Sequence, residues 1–164
     1  EYIGASEKRS LSMLEAMREA LKNQLKFDDN TILLGQDIED PKGDVFGLTR
    51  GLSTSFPKQV QNSALAENTI LGVSTGLALS GKKPIAFMQF SDFLPVAFNH
   101  LISEIGAMFW RTNGQWDSPV IVMAIAGAYR PGLGPYHAQT LESICAHIPG
   151  LDVFMPSTAE DAAG

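Results

Sequence analysis

The sequence predicts an α/β fold in which a parallel sheet carries helices on both faces. Short apolar runs typical of strands alternate along the chain with segments whose apolar residues recur at helical spacing. The run 119–126 is continuously apolar, as is typical of a parallel strand buried on both faces. With 164 residues and 45% hydrophobic content, the chain suits one compact, soluble domain.

Each element has its own signal. The capping box Ser12-Met13-Leu14-Glu15 opens a predicted helix that ends near Phe27. Further helices are predicted over 67–80, where Gly81 follows as a C-cap, and over 92–108 and 140–147. Strands are predicted over 31–34, 84–90, 119–126 and 151–155, and an ordered loop over 36–50.

Composition and charge exclude several classes of function. A net charge of −6 gives no electrostatic footprint for nucleic acid or an anionic membrane. The longest apolar run is too short to span a bilayer, and no secretory signal is present. The single cysteine, Cys145, cannot form an internal disulfide, and no Cys/His cluster has zinc-ligand spacing. These features predict a reducing, cytoplasmic location.

The two ends of the chain predict a piece of a larger protein. The chain begins with Glu1, and residues 1–10 are predicted to be a linker or tail ahead of a domain over 11–164. At the other end, Ser157-Thr158-Ala159-Glu160 has the S-x-x-E form of a capping box, and the helix that it opens is not continued.

Ligands of open parallel sheets bind beyond the carboxyl ends of the strands. That rule places three segments near a candidate site: 62–67, 90–93 and 127–137. Glu67 is either a carboxylate that faces a ligand or a first-turn residue that favours the helix dipole. His137 is either a general acid or base or a histidine that bonds loop backbone. Residue pattern alone does not separate the two interpretations of Glu67, and for His137 it favours the histidine that bonds loop backbone.

Several segments in order resemble one family of enzymes. The segment Ser63-Ala64-Leu65-Ala66-Glu67-Asn68-Thr69-Ile70-Leu71-Gly72 resembles the part of the transketolase-like pyrimidine-binding domain that carries a cofactor-activating glutamate. Three further segments resemble the β part of 2-oxo acid dehydrogenase E1 components: Gln89-Phe90-Ser91-Asp92-Phe93, Tyr136-His137-Ala138-Gln139 and Ala146-His147-Ile148-Pro149-Gly150-Leu151. The resemblance extends over nearly the whole chain.

The resemblance implies a thiamine diphosphate site and roles for three residues. Glu67 would hydrogen-bond the N1′ atom of the aminopyrimidine ring and promote loss of the C2 proton of the thiazolium. Phe93 would stack on the pyrimidine ring. His137 would lie over the thiazolium and either stabilise the intermediate or assist acyl transfer to a lipoyl group. The implied reaction is oxidative decarboxylation of pyruvate or a branched-chain 2-oxo acid.

The resemblance also implies partners, because the chain has no G-D-G segment of the kind that binds magnesium and diphosphate in this family. An α subunit, or the α half of a fused chain, would supply that segment with its Mg²⁺. A lipoyl-bearing E2 component and a homo- or hetero-oligomer are also expected. The alternatives are another thiamine enzyme of the superfamily, such as an acetoin dehydrogenase or a deoxyxylulose phosphate synthase, and a non-catalytic assembly module of the same fold.

Overall fold

The computed structural model of the protein describes residues 10–164, so the linker predicted over 1–10 lies, except for Ser10, outside the described residues. No helix in this part of the chain is long and apolar enough to cross a membrane. The helices are α1 (Met13–Phe27), α2 (Leu52–Ser55), α3 (Glu67–Leu79), α4 (Met108–Arg111), α5 (Glu142–Ala146) and α6 (Ala159–Ala163). The strands are β1 (Thr31–Gly35), β2 (Val60–Asn62), β3 (Lys83–Met88) and β4 (Ile121–Ala124).

The strands form one parallel sheet in the order β2-β1-β3-β4. In the register of its central pair, Leu33 lies opposite Ile85 and Gly35 opposite Phe87. Successive side chains of a strand point to opposite faces. Ile85 and Phe87 accordingly pack with α1 on one face, and Ala86 and Met88 pack with α3 on the other. The predicted fold, a parallel sheet with helices on both faces, is confirmed.

The ends of the two long helices follow their sequence signals. Ser12 caps α1, and the reciprocal hydrogen bonds with Glu15 form the predicted capping box. At the end of α3, Gly81 adopts φ of +87°, a left-handed conformation that favours glycine. Its N–H donates to the carbonyl of Ala78, and the N–H of Lys82 donates to the carbonyl of Leu77. The chain is thereby turned from α3 directly into β3.

The segment predicted as one helix over 92–108 is helical but not a single α-helix. It consists of a 3₁₀ helix over Ser91–Ala97, a π-helix over His100–Gly106 and then α4. Pro95 lies inside the 3₁₀ helix, and proline has no N–H to donate to a regular α-helical ladder. The backbone of Gly150 lies so close to the end of the π-helix that a Cβ added at Gly150 would lie 2.2 Å from the carbonyl oxygen of Gly106. The segment that follows α5 is thus packed closely against this helix.

The predictions for the last two strands need correction. β4 is parallel, as predicted, but within residues 10–164 it is an edge strand and Ile121 is 60% exposed. The run 151–155 is not a strand, and its Phe154 is 83% exposed. An apolar run becomes a strand only when a neighbouring strand pairs with its backbone groups. The described part of the chain provides no such pairing for 151–155.

The sequence patterns also missed or misplaced short elements. β2 has three residues and α2 has four, so neither is long enough to show periodicity. The helix predicted to open at Ser157 does form as α6, but its cap is Thr158 and its capping-box partner is Asp161. Glu160 and Asp161 are both acidic, so the sequence offers two partners for a capping box. The helix uses the second and begins one residue later than predicted.

The burial of Phe87 in β3 predicts a large contribution to stability. Its side chain is 1% exposed, so we expect Phe87→Ala to lower the free energy of unfolding by about 3–5 kcal/mol. Phe109→Ala is the matched control because that ring is 59% exposed, and its effect should stay within about 0.5 kcal/mol. Urea denaturation measures both changes. Equal losses for the two variants would contradict the central position of β3.

Candidate functional site

The candidate site lies at the carboxyl edge of the sheet. Because all four strands are parallel, the segments that follow β2, β3 and β4 begin at the same edge. These are the segments 62–67, 90–93 and 127–137 that the sequence predicted. β1 lies between β2 and β3, so the first segment starts about 10 Å from the second at normal strand spacing.

Three rings meet beyond the end of β3. The imidazole of His137 lies 4.8 Å from the ring of Phe90 and 5.5 Å from the ring of Phe93, measured between centroids. Both interplanar angles are 89°, and the two phenylalanine rings lie 6.0 Å apart. Such edge-to-face contacts are the favoured geometry of aromatic pairs. The structure therefore brings together Phe93 and His137, two of the three predicted site residues, and adds Phe90.

The loop 127–139 is fastened to the start of the 3₁₀ helix. The carboxylate of Asp92 accepts hydrogen bonds from the N–H groups of Ala138 and Gln139, each at 3.3 Å. The hydroxyl of Ser91 donates to the carbonyl of Gln139 at 2.6 Å. The N–H of Ser91 in turn donates to the carbonyl of Ile125, just after β4, at 2.7 Å. His137 directly precedes the anchored residues, so these bonds fix its backbone.

The loop 36–50 supplies a fourth ring. Phe46 packs edge-on against Phe90 at 5.8 Å, and the guanidinium of Arg130 lies 5.9 Å from the Phe46 ring centroid. Buried Asp44 shapes this loop, since its carboxylate accepts the N–H groups of Phe46, Gly47 and Thr49. The loop is thus ordered by its own hydrogen bonds.

Further bonds join this loop to the sheet and to α2. Glu39 and Asn62 exchange backbone-to-side-chain hydrogen bonds of 3.0 and 2.8 Å, which tie the loop to the end of β2. Asp40 accepts from the N–H of Gly51 at 2.7 Å and from the hydroxyl of Thr54 at 2.7 Å. These hydrogen bonds hold the pKa of the Asp40 carboxyl well below its usual range. The carboxylate therefore stays ionised and keeps the loop anchored at neutral pH.

Glu67 is the first residue of α3, at the same edge of the sheet. The preceding residue, Ala66, gives the helix no side-chain cap. The carboxylate of Glu67 is half-buried, and it has no hydrogen bond or ion pair with any group of residues 10–164. Within residues 10–164, the Glu67 side chain makes no contact with a ring of the aromatic cluster, although α3 packs against the 3₁₀ helix that carries Phe93. It is thus available to a ligand that reaches this edge.

Comparison with known families gives a match over nearly the whole chain. The family described as "Transketolase, pyrimidine binding domain" matches residues 9–164. The chain belongs to this family. The match covers every candidate site residue and the whole sheet.

Relatives of the domain include β subunits of several dehydrogenases. The chain is 41% identical over 155 residues to the 2-oxoisovalerate dehydrogenase subunit beta of Bacillus subtilis, covering 94% of this chain and 47% of the relative. It is 35% identical over 157 residues to the pyruvate dehydrogenase E1 component subunit beta of the same organism, with the same coverage. It is 32% identical over 166 residues to the acetoin:2,6-dichlorophenolindophenol oxidoreductase subunit beta of Cupriavidus necator, covering 95% and 48%. The chain spans about half the length of these relatives.

A solved structure supports the fold of this pyrimidine-binding domain. The chain matches a "Split gene transketolase, inactive beta4 tetramer" with a TM-score of 0.72, at 22% identity and over 94% of this chain and 45% of the other. At this identity the similarity supports the fold alone.

The residues of the domain fit the pyrimidine part of thiamine diphosphate. The half-buried carboxylate of Glu67, which has no partner among residues 10–164, suits a ring nitrogen that shares a proton, and the half-buried ring of Phe93 suits an aromatic heterocycle. Within residues 10–164, no group of three or more His, Cys, Asp or Glu side chains is placed to hold a metal ion.

Sequence reasoning missed the residues that hold the site together. Ser91 and Asp92 lie in the segment 89–93, which carries part of the family resemblance. Their bonds to Gln139 were not predicted because they join positions far apart in sequence. Phe46 lay in a segment read only as an ordered loop. Asp92 lies four residues after β3, inside the first turn of the 3₁₀ helix, and no local sequence signal singled it out.

Proposed function

We propose that this domain is the pyrimidine-binding half of a thiamine diphosphate-dependent 2-oxo acid dehydrogenase, within the E1 component. The observation that carries the proposal is the contact of His137 with Phe93 at the sheet edge where Glu67 opens α3. These are the three residues to which the family resemblance gives roles. Bound there, the cofactor would supply the carbanion that attacks the 2-oxo carbon and would accept the electrons released by decarboxylation.

Glu67 serves as the proton-sharing group of the pyrimidine end. Its carboxylate is half-buried and makes no competing hydrogen bond within the described chain, so a ring nitrogen can take that position. Its place in the first turn of α3 adds the favourable field of the helix N-terminus for the ionised form. This position is compatible with both interpretations of Glu67, a first-turn residue that favours the helix dipole and a carboxylate that faces a ligand. The activity of Glu67→Gln distinguishes them.

His137 serves a later step than Glu67. The imidazole lies over the Phe90 and Phe93 rings, on a loop that starts after β4, whereas Glu67 follows β2 at the other side of β1. An imidazole can donate a proton to a developing oxyanion or sulfur. We assign it to stabilisation of the reacting substrate and to acyl transfer to a lipoyl group.

The relatives favour a branched-chain 2-oxo acid as the first substrate to test. The 2-oxoisovalerate dehydrogenase subunit is 41% identical to this chain, against 35% for the pyruvate dehydrogenase subunit. The acetoin oxidoreductase subunit, at 32%, keeps an acetoin dehydrogenase as the second candidate. A non-catalytic assembly module would have no use for an available carboxylate at position 67.

The proposal includes partner chains. An α subunit, or an α half, would bring the diphosphate-binding segment with its Mg²⁺, and a lipoyl-bearing E2 component would accept the acyl group. Large apolar side chains exposed on the described surface support a protein partner: Phe109, Trp110, Trp116, Ile121, Phe154 and Met155. The cytoplasmic location stays a prediction.

The first test of the function is an assay of the full-length protein with its partner chain, thiamine diphosphate and Mg²⁺. We expect reduction of an artificial electron acceptor that depends on 2-oxoisovalerate, with weaker activity on pyruvate. Glu67→Gln should lower this rate by about 10²–10⁴-fold at saturating cofactor, because glutamine cannot share a proton with the ring in the same way.

The matched control is Glu160→Gln, which changes an exposed glutamate in the first turn of α6. It should leave the rate unchanged. Activity of Glu67→Gln within a few-fold of the parent would reduce Glu67 to a helix-end carboxylate.

The isolated domain should not bind the cofactor tightly, because most charged contacts of a diphosphate are proposed to lie on the partner. Calorimetric titration of residues 1–164 with thiamine diphosphate and Mg²⁺ should give a Kd weaker than about 1 μM. A Kd well below that value would show that this chain holds a complete site, which contradicts the half-site proposal.

His137→Ala should separate cofactor activation from acyl transfer. We expect C2–H exchange of bound cofactor with deuterated solvent to stay near the parent rate, because Glu67 is unchanged. Acyl transfer to lipoamide should slow by about 10²-fold or more. His147→Ala, which alters an exposed histidine after α5, is the control for both measurements. If His137→Ala slows C2–H exchange as much as Glu67→Gln does, the assignment of His137 to a later step is wrong.

A further inference from the structure

The junction between β3 and the 3₁₀ helix holds two parts of the candidate site at once. Phe93, the ring beside His137, directly follows Asp92 in the chain. Asp92 accepts the N–H groups of Ala138 and Gln139, the two residues that follow His137. One short stretch of backbone therefore sets the position of Phe93 directly and that of His137 through hydrogen bonds.

The loop that carries His137 needs such an anchor. Gly132 and Gly134 adopt φ of +89° and +70°, and glycine loses more conformational freedom on ordering than any other residue. Within the loop, His137 is tied by a backbone bond of 3.4 Å to the carbonyl of Gly134. The bonds to Asp92 and from Ser91, with a backbone bond of 3.3 Å from the N–H of Gly127 to the carbonyl of Gln139, join this end of the loop to the sheet edge.

We propose that Asp92 is a positioning residue that holds the imidazole of His137 against Phe90 and Phe93. This assignment rests on the proposed function only for its catalytic consequence. A carboxylate suits the task because its two oxygens can accept several N–H donors and because an ionised acceptor makes stronger hydrogen bonds. Asp92 acts through the backbone of Ala138 and Gln139, so it need not touch substrate or cofactor.

A simpler account of Asp92 makes a different prediction. Asp92 lies in the first turn of the 3₁₀ helix, where an acidic residue favours the helix N-terminus. If that were its whole role, its removal would affect the helix and leave the loop 127–139 unchanged. The order of the loop is therefore the property that distinguishes a positioning role.

The test compares Asp92→Ala, Asp92→Asn and the control Asp117→Ala in the full-length protein. Asp117 is an exposed aspartate outside the site. Hydrogen exchange measured on peptides that cover 136–140 reports the backbone bonds. We expect exchange to be about tenfold faster in Asp92→Ala, intermediate in Asp92→Asn, where a neutral acceptor remains, and unchanged in Asp117→Ala.

A second measurement follows the imidazole itself. NMR of ¹³C-labelled histidine, with His137→Gln to assign the signal, should show the His137 resonance displaced by the neighbouring rings. Asp92→Ala should move it towards the position of an exposed histidine. Asp92→Asn should restore it in part. A merely stabilising role in the helix would leave this resonance unchanged.

The kinetic consequence is measured with cofactor, Mg²⁺ and the partner chain. A displacement of about 1 Å can cost about 100-fold in rate, so Asp92→Ala should slow acyl transfer to lipoamide by about 10- to 100-fold. Its C2–H exchange should stay within a few-fold of the parent. Partial recovery of acyl transfer in Asp92→Asn is expected.

The outcomes separate the two proposals. Unchanged hydrogen exchange and an unchanged His137 resonance in Asp92→Ala would overturn the positioning role, whatever the activity. If both change while Glu67→Gln stays fully active, the proposed function fails and the positioning role stands. Should Asp92→Ala not fold, Asp92→Asn decides the role: unchanged exchange over 136–140 and an unchanged His137 resonance in that variant would overturn it.

Discussion

The aromatic part of the candidate site and the loop that carries His137 depend on the burial of β3. This strand pairs with β1 on one side and β4 on the other, and its residues from Pro84 to Met88 are buried. Interiors of this kind are close-packed and yield little to local strain. The backbone that leaves β3 therefore has a fixed position and direction. This backbone sets the positions of Phe90, Asp92 and Phe93, and hydrogen bonds attach the loop 127–139 to it.

Much of the fold could be predicted from the sequence because the decisive signals are local. Ser12 and Glu15 specify the start of α1 through a capping box that involves only neighbouring residues. Gly81 ends α3 because few other residues adopt its backbone conformation easily. The apolar runs at β1 and β3 identify buried strands, and their alternation with helices implies a parallel sheet. The direction of the sheet then predicted which three segments share one edge.

The remaining features depend on partners that are distant in sequence. β2 is three residues long, and the side chain of Gln59 fixes its approach by donating to the carbonyls of Leu25, Asp28 and Thr31. The run 151–155 has an apolar pattern but lacks a pairing strand in the described residues, so the pattern alone gave a wrong prediction. The aromatic cluster also depends on residues distant in sequence, because Phe46, Phe90 and His137 come from three loops. Resemblance to a family located Phe93 and His137, but it gave no reason for their contact.

The proposed division of the active site between two domains agrees with the charge of this chain. A diphosphate requires metal ions or several cationic donors, whereas this chain has a net charge of −6. The loop beside the aromatic cluster contains a single cation, Arg130, whose guanidinium lies over Phe46. A carboxylate, aromatic rings and an imidazole are instead suited to the heterocyclic end of the cofactor, where proton position and desolvation matter most. Assembly of the two surfaces would then be a condition for the reaction, and neither half could decarboxylate a 2-oxo acid alone.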